Sequence, residues 1–148
     1  MPNDTGGPYL VAALICERVL HEADGVNSII RVIDRFTIEG GKEAPGGLDD
    51  KHVASLDFSL YVSLKNGRAA GNHRLKVVPV RPDMSNPEPF EQVVHLESGE
   101  ERGVNIVFPT KLLASMPGVY WFEVYLDGQL MTKTPLNIVY IPPAGGRS

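Results

Sequence analysis

Residues 56–67 read LDFSLYVSLKNG, and this stretch decides the fold class. Leu56, Phe58, Leu60, Val62 and Leu64 recur at every second position, with Asp57, Ser59, Tyr61, Ser63 and Lys65 between them. Successive side chains of an extended chain point to opposite faces, so the pattern predicts a strand with one apolar and one wet face. Asn66-Gly67 follows at once. Both residues tolerate positive φ, which predicts a hairpin returning as a strand from about Asn72 to Arg81.

The same two-residue period extends outward in both directions. Two long apolar runs, Tyr9 to His21 and Asn27 to Ile38, flank Asp24-Gly25 and predict a second hairpin. The stretch EGGKEAPGGLDDK, residues 39–51, has no apolar period and reads as a loop crossing between sheets. RPDMSNPEP, residues 81–89, carries three prolines and reads as another crossover. Strands are expected over Phe90 to Leu96 and Gly103 to Phe108, joined around Glu97-Ser98-Gly99-Glu100. Thr110 is placed to cap one helical turn through Met116, ended by Pro117-Gly118.

The final hairpin puts Tyr120, Phe122, Val124 and Leu126 on one face and Trp121, Glu123 and Tyr125 on the other, with Asp127-Gly128 at the turn. A two-residue loop alone would set Phe122 opposite Lys133, a charge on the core face. A three-residue loop pairs Leu126 with Leu130, Tyr120 with Leu136 and Glu123 with Lys133, and this register is preferred because one slip reverses every side chain. Pro135 lacks a donor, so the last strand is expected to be an edge or bulged there.

About eight strands at roughly 10-residue spacing, two long crossovers and at most one short helix predict an all-β, antiparallel sandwich with Greek-key connections. The 148 residues fit one domain, with flexible tails expected at 1–8 and 142–148. Apolar residues make up 43% and charged residues 22%, the balance of a globular chain. A formal charge of −4 with no acidic run gives no electrostatic footprint for nucleic acid or anionic membrane. Cys16 is the one cysteine, so no intramolecular disulfide forms. The apolar run from Tyr9 to Cys16 is too short to span a membrane and lacks the basic front of a signal peptide, so a cytoplasmic location is expected.

Chemistry-bearing patterns are sparse. No nucleophile elbow or phosphate loop occurs, and Gly40-Gly41 and Gly46-Gly47 lie in the crossover without the Lys-Ser/Thr ending of a P-loop. Cys16 sits among apolar neighbours and reads as inert core. His21, His52, His73 and His95 share no metal-ligand spacing, and neither His52 with Asp49 and Asp50 nor Asp83 with Glu88 and Glu91 has the density of a metal site. No metal and no cofactor is expected. Glu17 and Asp34 interrupt apolar strands near Arg18, Arg31 and Arg35, which reads as a charge-paired wet face. The strongest binding feature is aromatic: Trp121 and Tyr125 project from one strand face roughly 13 Å apart, with Glu123 between them.

Cys16-Glu17, Asp24-Gly25, Ser28-Ile29-Ile30 and Phe36, with Pro117-Gly118-Val119-Tyr120-Trp121-Phe122, Asp127-Gly128 and Pro135-Leu136, resemble a small bacterial protein family of unknown function. The second half is also similar to immunoglobulin-like and fibronectin-like modules, without the Cys…Trp…Cys arrangement of true immunoglobulin domains. The resemblance implies a β-sandwich and supplies no catalytic residue. The expectation is a non-enzymatic protein-interaction or assembly domain that binds a protein partner or a second copy as a homodimer. It would use an edge strand or the face of Trp121, Glu123 and Tyr125. The alternative is a carbohydrate-binding module using the same aromatics, and the least favoured is a hydrolase using Glu17 and Asp34.

Overall fold

The computed structural model describes residues 6–39 and 54–141. Nine strands run through them: β1 (Tyr9–His21), β2 (Asn27–Val32), β3 (Arg35–Glu39), β4 (Ala54–Lys65), β5 (Gly71–Val80), β6 (Phe90–Leu96), β7 (Gly103–Ala114), β8 (Gly118–Leu126) and β9 (Gln129–Ile141). They form two sheets, ordered β2-β1-β4-β7 and β3-β9-β8-β5-β6. All pairings are antiparallel except β3 with β9. The expected sandwich is the fold, with nine strands in place of about eight. Among the described residues no helix is long and apolar enough to cross a membrane.

Alternation places the core as read. Phe58, Leu60, Val62 and Leu64 of β4 are buried against Tyr120, Phe122, Val124 and Leu126 of β8. Phe58 and Phe122 meet edge to face with ring centroids 5.7 Å apart, a geometry that aligns one ring's positive edge with the other's negative face. The face of β4 read as wet is exposed only towards the strand's ends, at Ser55, Asp57 and Lys65. In the middle, Ser59, Tyr61 and Ser63 are buried because β4 lies between β1 and β7. Leu14 and Val107 flank Tyr61 in register, and Ser63 Oγ donates to Asn105 Oδ1 at 2.8 Å.

Local turn chemistry misled the reading where both neighbours of a strand were already taken. Asn66-Gly67 does not close a hairpin, since β1 and β7 flank β4 and the chain crosses to β5 in the other sheet. Asn66 instead ties connections together: its backbone N–H donates to Arg102 O, its carbonyl accepts from Ala69 N–H, and its side-chain amide donates to Glu97 O. Residues 81–89 are not a crossover either, because β5 and β6 are antiparallel neighbours in one sheet. The crossing comes instead at 97–102, between β6 and β7. No helical turn forms over Thr110–Met116, as β7 continues to Ala114 in unbroken register with β4. Ile106, Phe108, Leu112 and Ala114 keep the buried alternation, which outweighs a capping threonine. The second long run is two strands, with Arg31 at φ 55° before the chain passes from β2 to β3. Most of the expected 39–51 crossover and the segments 1–5 and 142–148 lie outside the described residues.

The last hairpin combines both of the loops weighed for it. Leu126 pairs with Gln129 around a two-residue Asp127-Gly128 turn whose φ values, 51° and 82°, suit a type I′ hairpin. A bulge between Val124 and Tyr125 absorbs one residue of β9, so Tyr120 still opposes Leu136 and Glu123 opposes Lys133. The expected Leu126–Leu130 pair is replaced by Tyr125–Leu130. Pro135 sits where β9 has only β8 beside it, since β3 joins from Asn137 onward.

Two contacts fix the ends of the sandwich. At one end, the buried Tyr120 hydroxyl donates to Met116 O at 2.8 Å, a tyrosine corner at the entry to β8. At the other, Asp127 accepts from His73 Nδ1 at 2.6 Å and from Arg74 N–H at 2.9 Å. Tyr9 lines the same depression as His73 and Asp127, so β1 starts at this end, while β9 departs from it and finishes at Ile141. Partial burial pushes the Asp127 carboxyl up, but the bonds from His73 and Arg74 and their charge outweigh it and hold the group below its ordinary value.

Two outcomes follow from these contacts. Tyr120→Phe should lower unfolding free energy by about 1 kcal/mol in a urea titration, the usual net worth of one hydrogen bond. Asp127's depressed carboxyl contributes stability that is present above the ordinary carboxylate range and lost as pH falls through the lower folded value. Asp127→Asn keeps a residue that tolerates positive φ while removing the charge, so its denaturation midpoint should fall less steeply below about pH 4 than that of the parent chain.

Candidate functional site

The outer face of the five-stranded sheet gathers the aromatic residues singled out in the sequence. β8 alternates core and outer positions, so Trp121, Glu123 and Tyr125 point away from Phe122 and Val124. The neighbours complete three cross-strand rows: Pro135–Trp121–Val80, Lys133–Glu123–Val78 and Leu130–Tyr125–Lys76. Lys133 Nζ lies 4.7 Å from the centroid of the Trp121 ring. The Tyr125 hydroxyl donates to Glu123 Oε1 at 3.0 Å, and that bond pushes the phenol above its ordinary value, with desolvation and the Glu123 charge acting in the same sense.

All three residues are half-buried, held by neighbours on their own sheet. Leu130, Val119 and Val93 are exposed on this face, so apolar surface continues beyond the aromatics. Glu123 and Lys133 face each other in register, and each is engaged by an aromatic neighbour rather than by the other's charge. Lys133 over the indole ring occupies a position from which a sugar would stack.

The other candidates are dispersed. Cys16 is fully buried, its thiol donates weakly to Ser59 O at 3.7 Å, and burial pushes it up, as expected of inert core. Glu17 pairs with Arg31 at 3.6 Å on exposed surface, while Asp34 uses its backbone carbonyl to accept from Asn137 N–H. The two carboxylates line different depressions, so the geometry does not assemble an acid and a base around one cleft. Asp83 accepts from the Ser85 hydroxyl and N–H, which hold its carboxyl low, and Glu91 pairs with Arg74. Among the described residues no group of three or more His, Cys, Asp or Glu side chains could hold a metal. His21 and His95 each bond an asparagine across a strand pair. His52, Asp49 and Asp50 lie outside the described residues.

Sequence reading missed the His73–Asp127 clasp, because turn and histidine are 54 residues apart and only the fold brings them together. It also missed Lys133 as the partner of Trp121, although the register it preferred placed Lys133 one row away.

A family described as of unknown function, DUF6941, matches residues 11–139. The chain belongs to that family. No curated protein matches this DUF6941 member. Among solved structures, an immunoglobulin-like protein of Pseudomonas aeruginosa is similar at 15% identity and TM-score 0.45, over 89% of this chain and 96% of that one. A glycosyl hydrolase family 2 member from Bacteroides cellulosilyticus is similar at 16% identity and TM-score 0.46, over 77% of this chain but 17% of that one. A beta-glucosidase from Listeria innocua is similar at 16% identity and TM-score 0.39, over 74% of this chain and 15% of that one. At these levels no activity transfers from any of the three.

Trp121 is the single tryptophan of the chain, so its fluorescence reports this face directly. Lys133→Ala should raise quenching of that fluorescence by acrylamide and cost about 0.5–1 kcal/mol in stability. Unchanged quenching would show that the lysine does not cover the ring in solution.

Proposed function

We propose that this DUF6941 chain is a non-enzymatic protein-interaction or assembly domain whose contact surface is the outer face of the five-stranded sheet. The observation that carries this reading is the Trp121–Lys133 and Tyr125–Glu123 arrangement on the sheet's outer face, continued by exposed Leu130, Val119 and Val93. Aromatic side chains already pinned by neighbours lose little freedom on docking, which favours them as anchors. The charges of Glu123 and Lys133, opposite each other in register, would set orientation more than affinity. A second copy of the chain and a different protein are both suitable occupants. The free thiol of Cys16 fits a reducing compartment such as the cytoplasm, and a charge of −4 favours neither nucleic acid nor an anionic membrane.

The test is light scattering coupled to size exclusion, together with quantitative capture of partners from the native host. Trp121→Ala should weaken self-association or capture by about 30-fold, the effect of losing an interface hot spot of roughly 2 kcal/mol. Association that Trp121→Ala and Tyr125→Ala both leave intact would place the contact elsewhere. A glycan array read by tryptophan quenching separates the carbohydrate alternative, which predicts a saturable response abolished by the same substitutions.

A further inference from the structure

The four-stranded sheet ends on β7, a twelve-residue strand paired with β4 by one continuous register from Ala54–Ala114 to Lys65–Gly103. No strand among the described residues pairs with its other side. The remaining outer strands are short or interrupted: β3 has five residues, β6 seven, and β2 six with Arg31 at φ 55°. A long, regular edge presents a row of unsatisfied N–H and C=O groups, and native proteins normally blunt or cover one. Here the edge borders an opening of the sandwich. A groove of about 560 Å³ lies between β7 and β6 with its preceding loop, floored by Phe90, Phe108 and Leu112. Phe90 and Phe108 close its base with ring centroids 5.4 Å apart.

We infer that β7 and this groove together accept an extended peptide segment, added as a fifth strand to the four-stranded sheet, with apolar side chains at every second position and acidic residues at its ends. This surface is separate from the face of Trp121 and does not depend on it. Only an extended backbone satisfies a row of alternating donors and acceptors, and only alternate side chains of such a strand point into the groove. The ionisable residues lining it are Arg81, Lys111 and Glu88, a positive balance in a chain of net charge −4, which favours an acidic segment. Lys111 now pairs with Asp57 at 3.3 Å on exposed surface, a contact that a partner carboxylate readily replaces.

Pro109 decides between a foreign segment and a second β7. A proline in a sheet belongs on an edge strand with its nitrogen turned outward, which puts the backbone groups of Val107, Lys111 and Leu113 on the free side. Pro109 stands at the middle of β7. Antiparallel pairing of two β7 strands over their full length would bring both prolines together at the two-fold axis and leave the centre of the ladder without donors. A different chain loses one bond there and keeps those on either side.

The whole chain is titrated with two capped peptides of about nine residues. One alternates valine and threonine between terminal glutamates; the other groups the valines at the same composition. The alternating peptide should bind at least about tenfold tighter and slow amide exchange at Val107, Lys111 and Leu113. Val107→Pro and Leu113→Pro each remove an outward donor while sparing the β4 ladder, and each should weaken binding about tenfold. Lys111→Glu carries no backbone risk and should shift preference to a peptide ended with lysines. Equal binding of the two peptides, no binding of the alternating one, or affinity indifferent to Lys111→Glu overturns the inference. Trp121→Ala should leave peptide affinity unchanged; its loss in that variant would move the peptide to the other face, sinking this inference and leaving the first reading intact.

Discussion

Phe58 and Phe122 meet across the middle of the sandwich, and each belongs to a strand enclosed on both sides within its own sheet. β4 lies between β1 and β7, and β8 between β9 and β5. Docking these two strands face to face sets the separation of the layers and buries Phe58, Leu60, Val62 and Leu64 with Tyr120, Phe122, Val124 and Leu126. Everything peripheral inherits its position from that contact. The Tyr120 corner anchors the start of β8 two residues before Phe122, and the β8–β9 register carries Lys133 to its place beside Glu123. Each outer residue of β8 is thus positioned by a buried neighbour on the same strand.

Legibility in the sequence followed the range of the interaction that decided each feature. Alternation is local, so β1 and β6 were readable in full and β4 and β8 to within two residues at their starts, and the burial of Phe122 and Val124 with them. Turn propensity is also local, and it succeeded at Asp24-Gly25 and Asp127-Gly128, where the flanking strands had a free side to pair. It failed at Asn66-Gly67, because occupancy of both edges of β4 is a property of the whole sheet. The same blindness hid β7 beyond Phe108: Thr110 and Pro117-Gly118 suggest a helix by themselves, yet a twelve-pair ladder with β4 outweighs one capping interaction. The Tyr125–Glu123 bond spans two positions on one strand and could have been anticipated. The groove beside β7 could not, since its walls come from β6, β7 and the loop between β5 and β6.

Chemistry on this fold is distributed rather than concentrated. Four carboxylates are engaged at four separate places: Glu17 with Arg31, Asp83 with Ser85, Glu91 with Arg74, Asp127 with His73. Such pairing fixes side chains in place and leaves few of them poised toward a shared point. Two surfaces stand out instead: an aromatic face on the five-stranded sheet and, among the described residues, an unpaired β7 edge on the four-stranded one.

The chain enters and leaves the described fold at opposite ends, with Tyr9 of β1 near the Asp127 turn and Ile141 of β9 at the far end of the longest hairpin. A pulling force between those points runs along the strands, over a length of about 40 Å. It loads the β1–β4 and β8–β9 ladders in shear, where many hydrogen bonds must yield together, rather than peeling them one rung at a time. With β1 in one sheet and β9 in the other, the same load also draws the layers past each other against interlocked Phe58 and Phe122. Resistance to such a load therefore rests on whole ladders and the interlayer contact yielding together.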